Sequence, residues 1–238
     1  MEKKGNIISI HQPNFIPWLG YFYKIYQSDV FVFLDDVQFS NQGMHNYHYI
    51  KTSQGSFRLK IPVHKHFRDH INQVRINYDL DWKQKHLKTF SANYRRSPYF
   101  DEVYSDLEHF YSIYFPNIAV FNSEIIAFIC RKLGLVTRFV NSSDLNIDTL
   151  REQKIIDICM ALEGSTYYSG TGARAYQNEE NFKENGLELR YSSFKVFEYP
   201  QLWDGFQSNV TIIDYLMNCG YNWDQVLSKQ NITGHGNR

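Results

Sequence analysis

Ile7-Ile8-Ser9-Ile10 ending at His11, Trp18-Leu19-Gly20-Tyr21-Phe22-Tyr23-Lys24-Ile25-Tyr26-Gln27-Ser28, and Val30-Phe31-Val32-Phe33-Leu34 ending at Asp35-Asp36 together decide the fold. The outer runs are short and almost wholly apolar, as strands buried on both faces require. The middle run places Leu19, Phe22, Tyr23 and Tyr26 at helical spacing. Strand, helix and strand in that order form a compact βαβ unit with parallel strands.

Reading onward, residues 37–77 differ in character. Phe57, Leu59 and Ile61 alternate with Arg58 and Lys60 after a turn at Ser53-Gln54-Gly55-Ser56. That alternation predicts an antiparallel, half-exposed hairpin, an insertion expected to cover one edge of the main sheet. Helical patterns follow at 81–94, 99–113 and 117–133, the last closed by Lys132-Leu133-Gly134. Val136 to Val140 reads as a strand ending at Asn141-Ser142-Ser143-Asp144, and Thr149 to Leu162 as a helix. Thr166 to Tyr168 is a strand ending at Ser169-Gly170, and Leu187 to Tyr191 another, ending at Ser192-Ser193. A last helix covers Val210 to Asn218 and stops at Gly220. The alternation predicts an α/β fold: a mainly parallel, Rossmann-like sheet with helices on both faces. No linker or repeat divides the 238 residues, so residues 1–238 read as one domain.

Composition narrows the partners. Lys and Arg total 25, as do Asp and Glu, so no global field draws the chain to nucleic acid or to an anionic membrane. The local basic run Lys51, Arg58, Lys60, Lys65 and Arg68 reads as a solvated face. Cys130, Cys159 and Cys219 are scattered and apolar in context, which fits buried thiols in a reducing compartment. No apolar run reaches the ~20 residues that span a bilayer, and Met1-Glu2-Lys3-Lys4-Gly5-Asn6 does not open a signal peptide. The expectation is a cytoplasmic protein without membrane insertion. Aromatic residues make up 17%; many belong to the core, yet such rings also line sugar and nucleoside sites.

In open α/β sheets ligands bind beyond the carboxyl ends of the strands. That rim carries His11, Asp35, Asp36, Asn141, Ser142, Ser143, Ser169, Gly170 and Ser192. His11 is the one side chain of its loop that titrates near neutral pH, which makes it the natural acid or base. The plainer alternative is a histidine bonded only to backbone. Pro13 and Pro17 set the path of that loop, and Gly20 permits close backbone approach where the helix starts. Of the adjacent Asp35 and Asp36, which point oppositely on a strand, one can face the site and hold a metal, a hydroxyl or His11; a turn or cap role is the equal alternative. Gln38, Asn46 and Lys51 are further polar candidates. Ser165 to Tyr176 is a glycine-bearing strand-to-helix turn in which Ser169, Gly170, Arg174 and Tyr176 can meet a phosphate, though tight packing explains Gly170 and Gly172 equally well. Six histidines fall between His45 and His86, without the spacing of a metal motif.

His11-Gln12-Pro13-Asn14-Phe15-Ile16-Pro17-Trp18-Leu19-Gly20-Tyr21-Phe22 resembles the opening motif of the WbqC-like family. Asp36-Val37-Gln38-Phe39, Lys60-Ile61-Pro62-Val63, Tyr168-Ser169-Gly170 with Tyr176, and Tyr199-Pro200-Gln201 with Ile213 to Gly220 resemble its later ones. Asn46-Tyr47-His48 departs from the family, which often carries an Asn-Arg-Asn-like run there. The resemblance implies work in surface-polysaccharide biosynthesis: a transferase modifying a nucleotide-linked amino sugar by N-acyl or aminoacyl transfer to its amine. On that reading His11 and Asp36 are catalytic, and Gln12, Asn14, Trp18, Gly20, Tyr21, Asp35, Gln38, Asn46, Lys51, Ser169, Gly170, Arg174 and Tyr176 bind substrate. No tightly bound cofactor or metal is expected. The acyl donor is a coenzyme A thioester, an acyl carrier protein thioester or an activated amino acid.

Two other functions stand beside it. Trp18-Leu19-Gly20-Tyr21 sits where the His-x-Gly-His motif stands in nucleotidyltransferases, with both histidines replaced, so nucleotidyl or adenylyl transfer is the second. A non-catalytic glycan-binding protein that uses its aromatic rings is the third.

Overall fold

The computed structural model describes residues 5–231; Met1 to Lys4, part of the charged opening read above, lie outside them. The expected βαβ unit is present. β1 (Asn6–His11) and β2 (Val30–Phe33) pair in parallel, Ile8 opposite Val30 and His11 opposite Phe33, and α1 (Leu19–Tyr26) connects them. The hairpin strands β3 (Tyr47–Thr52) and β4 (Gly55–Lys60) follow, then the short antiparallel pair β5 (Val63–His64) and β6 (Arg75–Ile76). Helices α2 (Trp82–Tyr94), α3 (Phe100–Ser112) and α4 (Ile118–Lys132) come next. The chain then returns to the main sheet with β7 (Arg138–Asn141), α5 (Arg151–Ala161), β8 (Gly164–Ser169), α6 (Glu179–Glu184) and β9 (Glu188–Tyr191). It ends with α7 (Ile212–Cys219) and α8 (Trp223–Lys229).

The main sheet has five parallel strands in the order β7-β2-β1-β8-β9. From β1 the chain builds outward through β2 and β7, then crosses to β8 and β9 on the other side. This is the doubly wound order, and its reversal lies between β1 and β8. The β1–β8 register runs only to Ile8 opposite Tyr167, although β1 continues to His11 and β8 to Ser169. The two strands therefore part at their carboxyl ends, where Ser9 Oγ donates to the Tyr168 carbonyl at 2.8 Å.

Strand alternation divides the core. Ile8, Ile10, Val30 and Val32 pack with Ile156, Ile158, Cys159 and Phe182 of α5 and α6. Phe31 and Phe33 face the other way, into a larger cluster with α1, α2, α3, α4 and α7. Phe39, Ile50, Leu59, Ile61, Ile71 and Val74 belong to that larger cluster. The 37–77 insertion thus contributes to the core layer over one face, and the sheet's edges are β7 and β9. This corrects the expected edge cover; the hairpin's inward alternate residues are apolar enough to be buried by the helices. Its turn is tighter than expected, Ser53-Gln54 closing onto Gly55 at φ +96°.

Helix ends follow their capping chemistry. Asn117 accepts the Val120 N–H at 2.9 Å to start α4, and Thr211 accepts that of Ile213 at 2.9 Å to start α7. Among the described residues no helix is long and apolar enough to cross a membrane.

Candidate functional site

Where β1 and β8 part, a cleft of about 220 Å³ is lined by His11, Trp18, Gly20, Tyr21, Lys24, Gly170, Thr171, Gly172, Ser192 and Phe194. It lies beyond the carboxyl ends of the strands at the reversal of strand order, where this architecture binds ligands. His11, Trp18, Gly20, Tyr21 and Gly170 were expected at a site, and the fold brings these five together.

The β1-to-α1 segment that carries the first four is held by four separate parts of the chain. Tyr21 Oη donates to the Gln12 carbonyl at 2.9 Å, and Asn122 Nδ2 on α4 donates to the Pro13 carbonyl at 2.8 Å. Phe15 N–H bonds to the Met44 carbonyl at 2.9 Å, and Ile212 N–H at the start of α7 to the Pro17 carbonyl at 2.9 Å. Phe15 and Ile16 are fully buried. Ile16 sits at φ +36°, which a β-branched residue tolerates only when its surroundings impose it. Much of the distinctive opening motif is therefore scaffold that shapes the loop.

His11 Nδ1 lies 3.0 Å from the Gln12 carbonyl, and the ring meets Tyr21 edge-on at 4.8 Å. A carbonyl only accepts, so Nδ1 carries the proton and a neutral ring leaves the Nε2 lone pair free. Burial, then the nearby Lys24 charge, push the His11 pKa down to about 3. The neutral form is secured at pH 7, but a base of that strength holds a proton weakly.

Lys24, which sequence reasoning passed over, is 4% exposed and donates from Nζ to the Ile10 carbonyl at 2.8 Å. Burial lowers its pKa from 10.5 to about 7. The available signal was spacing: Lys24 follows Gly20 by four residues and Tyr21 by three, so one helix face presents all three.

The glycines play different parts. A Cβ built on Gly20 lies 2.3 Å from Trp18 Cη2 and 2.5 Å from Cζ2, so the bare α-carbon is what lets the indole lie on the start of α1. Gly20→Ala is expected to push the indole off that wall, costing about 1–3 kcal/mol as an overpacked contact does. Urea denaturation checks this, with an unchanged midpoint as the contrary result. At Gly170 and Gly172 a Cβ meets nothing within 4 Å, and Gly170 has φ −74°. Tight strand-to-helix packing therefore does not account for them. Their backbone lies open on the cleft wall.

The other expected residues take other places. Asp35 is buried; Oδ1 accepts from the Ser143 N–H at 3.0 Å and Oδ2 from Ser143 Oγ at 2.7 Å. Asp36 Oδ2 pairs with Lys154 Nζ at 2.8 Å. Ser142 Oγ lies 3.1 Å from Asp35 Oδ1 and 2.5 Å from Asp36 Oδ1. Both carboxyl groups thus turn toward the end of β7, against the expectation that adjacent aspartates point oppositely; the chain has left the strand and strand alternation no longer applies. Neither lines the His11 cleft.

Gln12 Oε1 is 3.0 Å from His45 Nε2, a bond that joins the loop to the insertion. The Asn14 side-chain oxygen is buried and meets no hydrogen-bond partner among the described residues. Asn46 Nδ2 donates to the Ile61 carbonyl at 2.9 Å. Lys51, expected on a solvated basic face, is 1% exposed and donates to the Trp203 carbonyl at 2.9 Å and to that of Gly205. Gln38 is exposed and bridges to His70. Ser169 is buried, and its backbone carbonyl accepts the Ser192 N–H at 2.8 Å. Arg174 lies over the Tyr191 ring, and Tyr176 is 85% exposed. Among the described residues no three His, Cys, Asp or Glu side chains converge as metal ligands. Thr171, Ser192 and Phe194 are further lining residues, brought in by the turn after β8 and the segment after β9.

No solved structure matches the chain. An uncharacterised protein of Mycobacterium tuberculosis is 32% identical over 217 residues, which cover 90% of this chain and 94% of that protein. The pattern that defines the WbqC-like protein family matches residues 12–225, from the second residue of the opening motif to α8. The chain belongs to the WbqC-like protein family.

Proposed function

We propose that this protein is a transferase that moves an acyl or aminoacyl group onto the amine of a nucleotide-linked sugar, with its reacting centre in the β1/β8 cleft. The observation that carries the reading is the placement of His11 at the strand-order reversal, with Nδ1 engaged by the Gln12 carbonyl. A sugar ammonium must lose a proton before its nitrogen attacks, and Nε2 can take it. The nitrogen then bonds to the carbonyl carbon of the donor, the bond to the leaving thiolate or phosphate breaks, the proton passes from Nε2 to the leaving group, and the second proton the nitrogen sheds on becoming an amide goes to solvent. Trp18 and Phe194, edge-on at 5.4 Å, offer an apolar wall for a sugar ring. An anionic substrate beside Lys24 would offset the charge that depresses His11 and so strengthen the base.

The donor is a coenzyme A thioester, a carrier-protein thioester or an activated amino acid. Nucleotidyl transfer is the second reading, favoured by the doubly wound strand order with the β1–α1 loop at its reversal. Dependence on ATP and magnesium distinguishes it.

A thermal-shift screen of nucleotide-linked amino sugars finds the substrate, because a ligand of the native state raises Tm. In the acyl-transfer assay that follows, His11→Ala is expected to lower turnover by about 10²–10⁴ with sugar-nucleotide affinity nearly unchanged. His11→Asn should not restore the rate, since an amide cannot take the proton. Near-normal turnover in either variant removes His11 as the base and leaves Lys24 as the next group in the cleft.

A further inference from the structure

We propose that Lys24 is the receptor for the diphosphate of the ligand, its ammonium held in the cleft without a protein counter-ion so that the ligand supplies the negative charge. This deepens the transferase reading and rests on it for the choice of a nucleotide-linked ligand.

Three observations support it. Lys24 is buried, lines the cleft, and among the described residues has one fixed acceptor, the neutral Ile10 carbonyl, for an ammonium with three hydrogens. Among the described residues no carboxylate pairs with it. The contrast is Lys154 on α5, equally enclosed, which meets Asp36 Oδ2 at 2.8 Å. Buried cations are ordinarily paired, so one left facing a ligand cleft signals a partner from outside. The same cleft supplies the third observation: open space stands over Gly170 and Gly172 in its lining, whose backbone neither packing nor a positive φ requires to be bare. Such a wall admits phosphoryl oxygens at close range. With the diphosphate at Lys24, the sugar lies toward His11 and Trp18.

The groups that sense the Lys24 charge are His11 on β1 and the Cys159 thiol on α5, which burial pushes up to about 12 and keeps neutral. A pKa of about 7 for Lys24 then makes binding pH-dependent. Below that value the ammonium is ready for the anion; above it, binding must draw a proton from solvent.

Uridine diphosphate glucose, thymidine diphosphate glucose and guanosine diphosphate mannose serve as probes, because their diphosphates keep a constant charge between pH 6.5 and 8.5. By titration calorimetry with the full chain, at least one is expected to bind, about tenfold or more weaker at pH 8.5 than at pH 6.5. Lys24→Met should weaken binding about 30-fold or more, as loss of one partner of a buried charge contact does. Its Tm without ligand at pH 6.5 should equal or exceed that of the wild type, since a buried unpaired cation is removed. A lysine that merely ties α1 to β1 would instead lower Tm and leave affinity alone.

Lys24→Gln, whose amide can still reach the Ile10 carbonyl, is the second variant should the methionine fail to fold, with the same loss of affinity expected. Lys24→Arg should retain part of the binding and lose the pH dependence, because guanidinium does not titrate in this range. The proposal is overturned if none of the three probes binds, or if Lys24→Met or Lys24→Gln binds within threefold of the wild type. Failure of the transferase reading looks different: Lys24-dependent binding persists, but no acylated sugar forms from any amino-sugar nucleotide and donor.

Discussion

Between pH 6.5 and 4.5 the protein is expected to lose most of its resistance to urea. Four histidines among the described residues are held neutral by the fold. Burial depresses His45, His48 and His86 to about 4, and burial with the Lys24 charge depresses His11 to about 3, against an ordinary 6.5. His45 Nδ1 accepts the Ser40 N–H, and His48 Nδ1 accepts that of Tyr49 at 2.9 Å, so each proton would land on a nitrogen already used as an acceptor. His86 Nε2 donates to the Lys60 carbonyl at 3.2 Å, with Nδ1 beside Tyr111 Oη. The folded pKa values lie below the unfolded one, so the unfolded chain binds more protons. This stabilisation is complete above about pH 6.5 and is lost as pH falls toward 3–4. Each fully coupled ring contributes ~1.4 kcal/mol per pH unit. Four rings together lose several kcal/mol by about pH 5, comparable with the whole stability of an ordinary domain. Urea midpoints at pH 7, 6, 5 and 4.5 should fall steeply, and His86→Phe should flatten the slope. A midpoint unchanged down to pH 4.5 would contradict the account.

Asp214→Ala is expected to destabilise the fold by about 3 kcal/mol or more, far beyond an ordinary substitution. Asp214 on α7 is fully enclosed; Oδ2 accepts from Tyr94 Oη at 2.9 Å and Oδ1 from Gln201 Nε2 at 2.8 Å. Tyr94 Oη in turn accepts the Lys51 N–H at 3.2 Å, and Gln201 Oε1 accepts that of Gln207 at 2.9 Å. Burial raises the Asp214 carboxyl pKa, opposed by its bonds to Tyr94, Tyr199 and Gln201 and by the Lys51 charge. One side chain therefore joins α2, α7, the β3–β4 hairpin and the 199–207 segment. An alanine leaves the buried Tyr94 hydroxyl and the Gln201 amide without their shared acceptor and takes away the charge beside Lys51, and such networks fail together. Asp214→Asn should cost less, because one acceptor remains. Lys51→Met in the Asp214→Ala background should recover part of the loss, as coupled neighbours do. Equal effects of alanine and asparagine would show that volume, and not hydrogen bonding, sets the cost.

The same network shows how the family's motifs divide. Tyr199-Pro200-Gln201 and the Asp214 stretch are bound into it. In the opening motif, Phe15 and Ile16 fill the core while His11, Trp18, Gly20 and Tyr21 reach the cleft. A motif read in one dimension mixes these two groups, because shaping a loop and meeting a ligand constrain residues equally.

The sequence by itself determined the parallel sheet, the βαβ unit around α1, the three long helices and the rim on which His11 stands. Those are local matters: apolar periodicity, helix caps and chain punctuation act over a few residues and leave their mark in order along the chain. Tertiary structure alone decided which polar residues meet. Asp35 and Asp36 bond to Ser142, more than 100 positions away, and Lys51 to carbonyls about 150 positions away. Lys24 was passed over in the sequence; its burial in the cleft, against the Ile10 carbonyl, depends on how α1 packs on β1. Whether a charge is solvated, paired or kept for a ligand is set by the dielectric and the neighbours that folding assembles around it, and those neighbours come from every part of the chain.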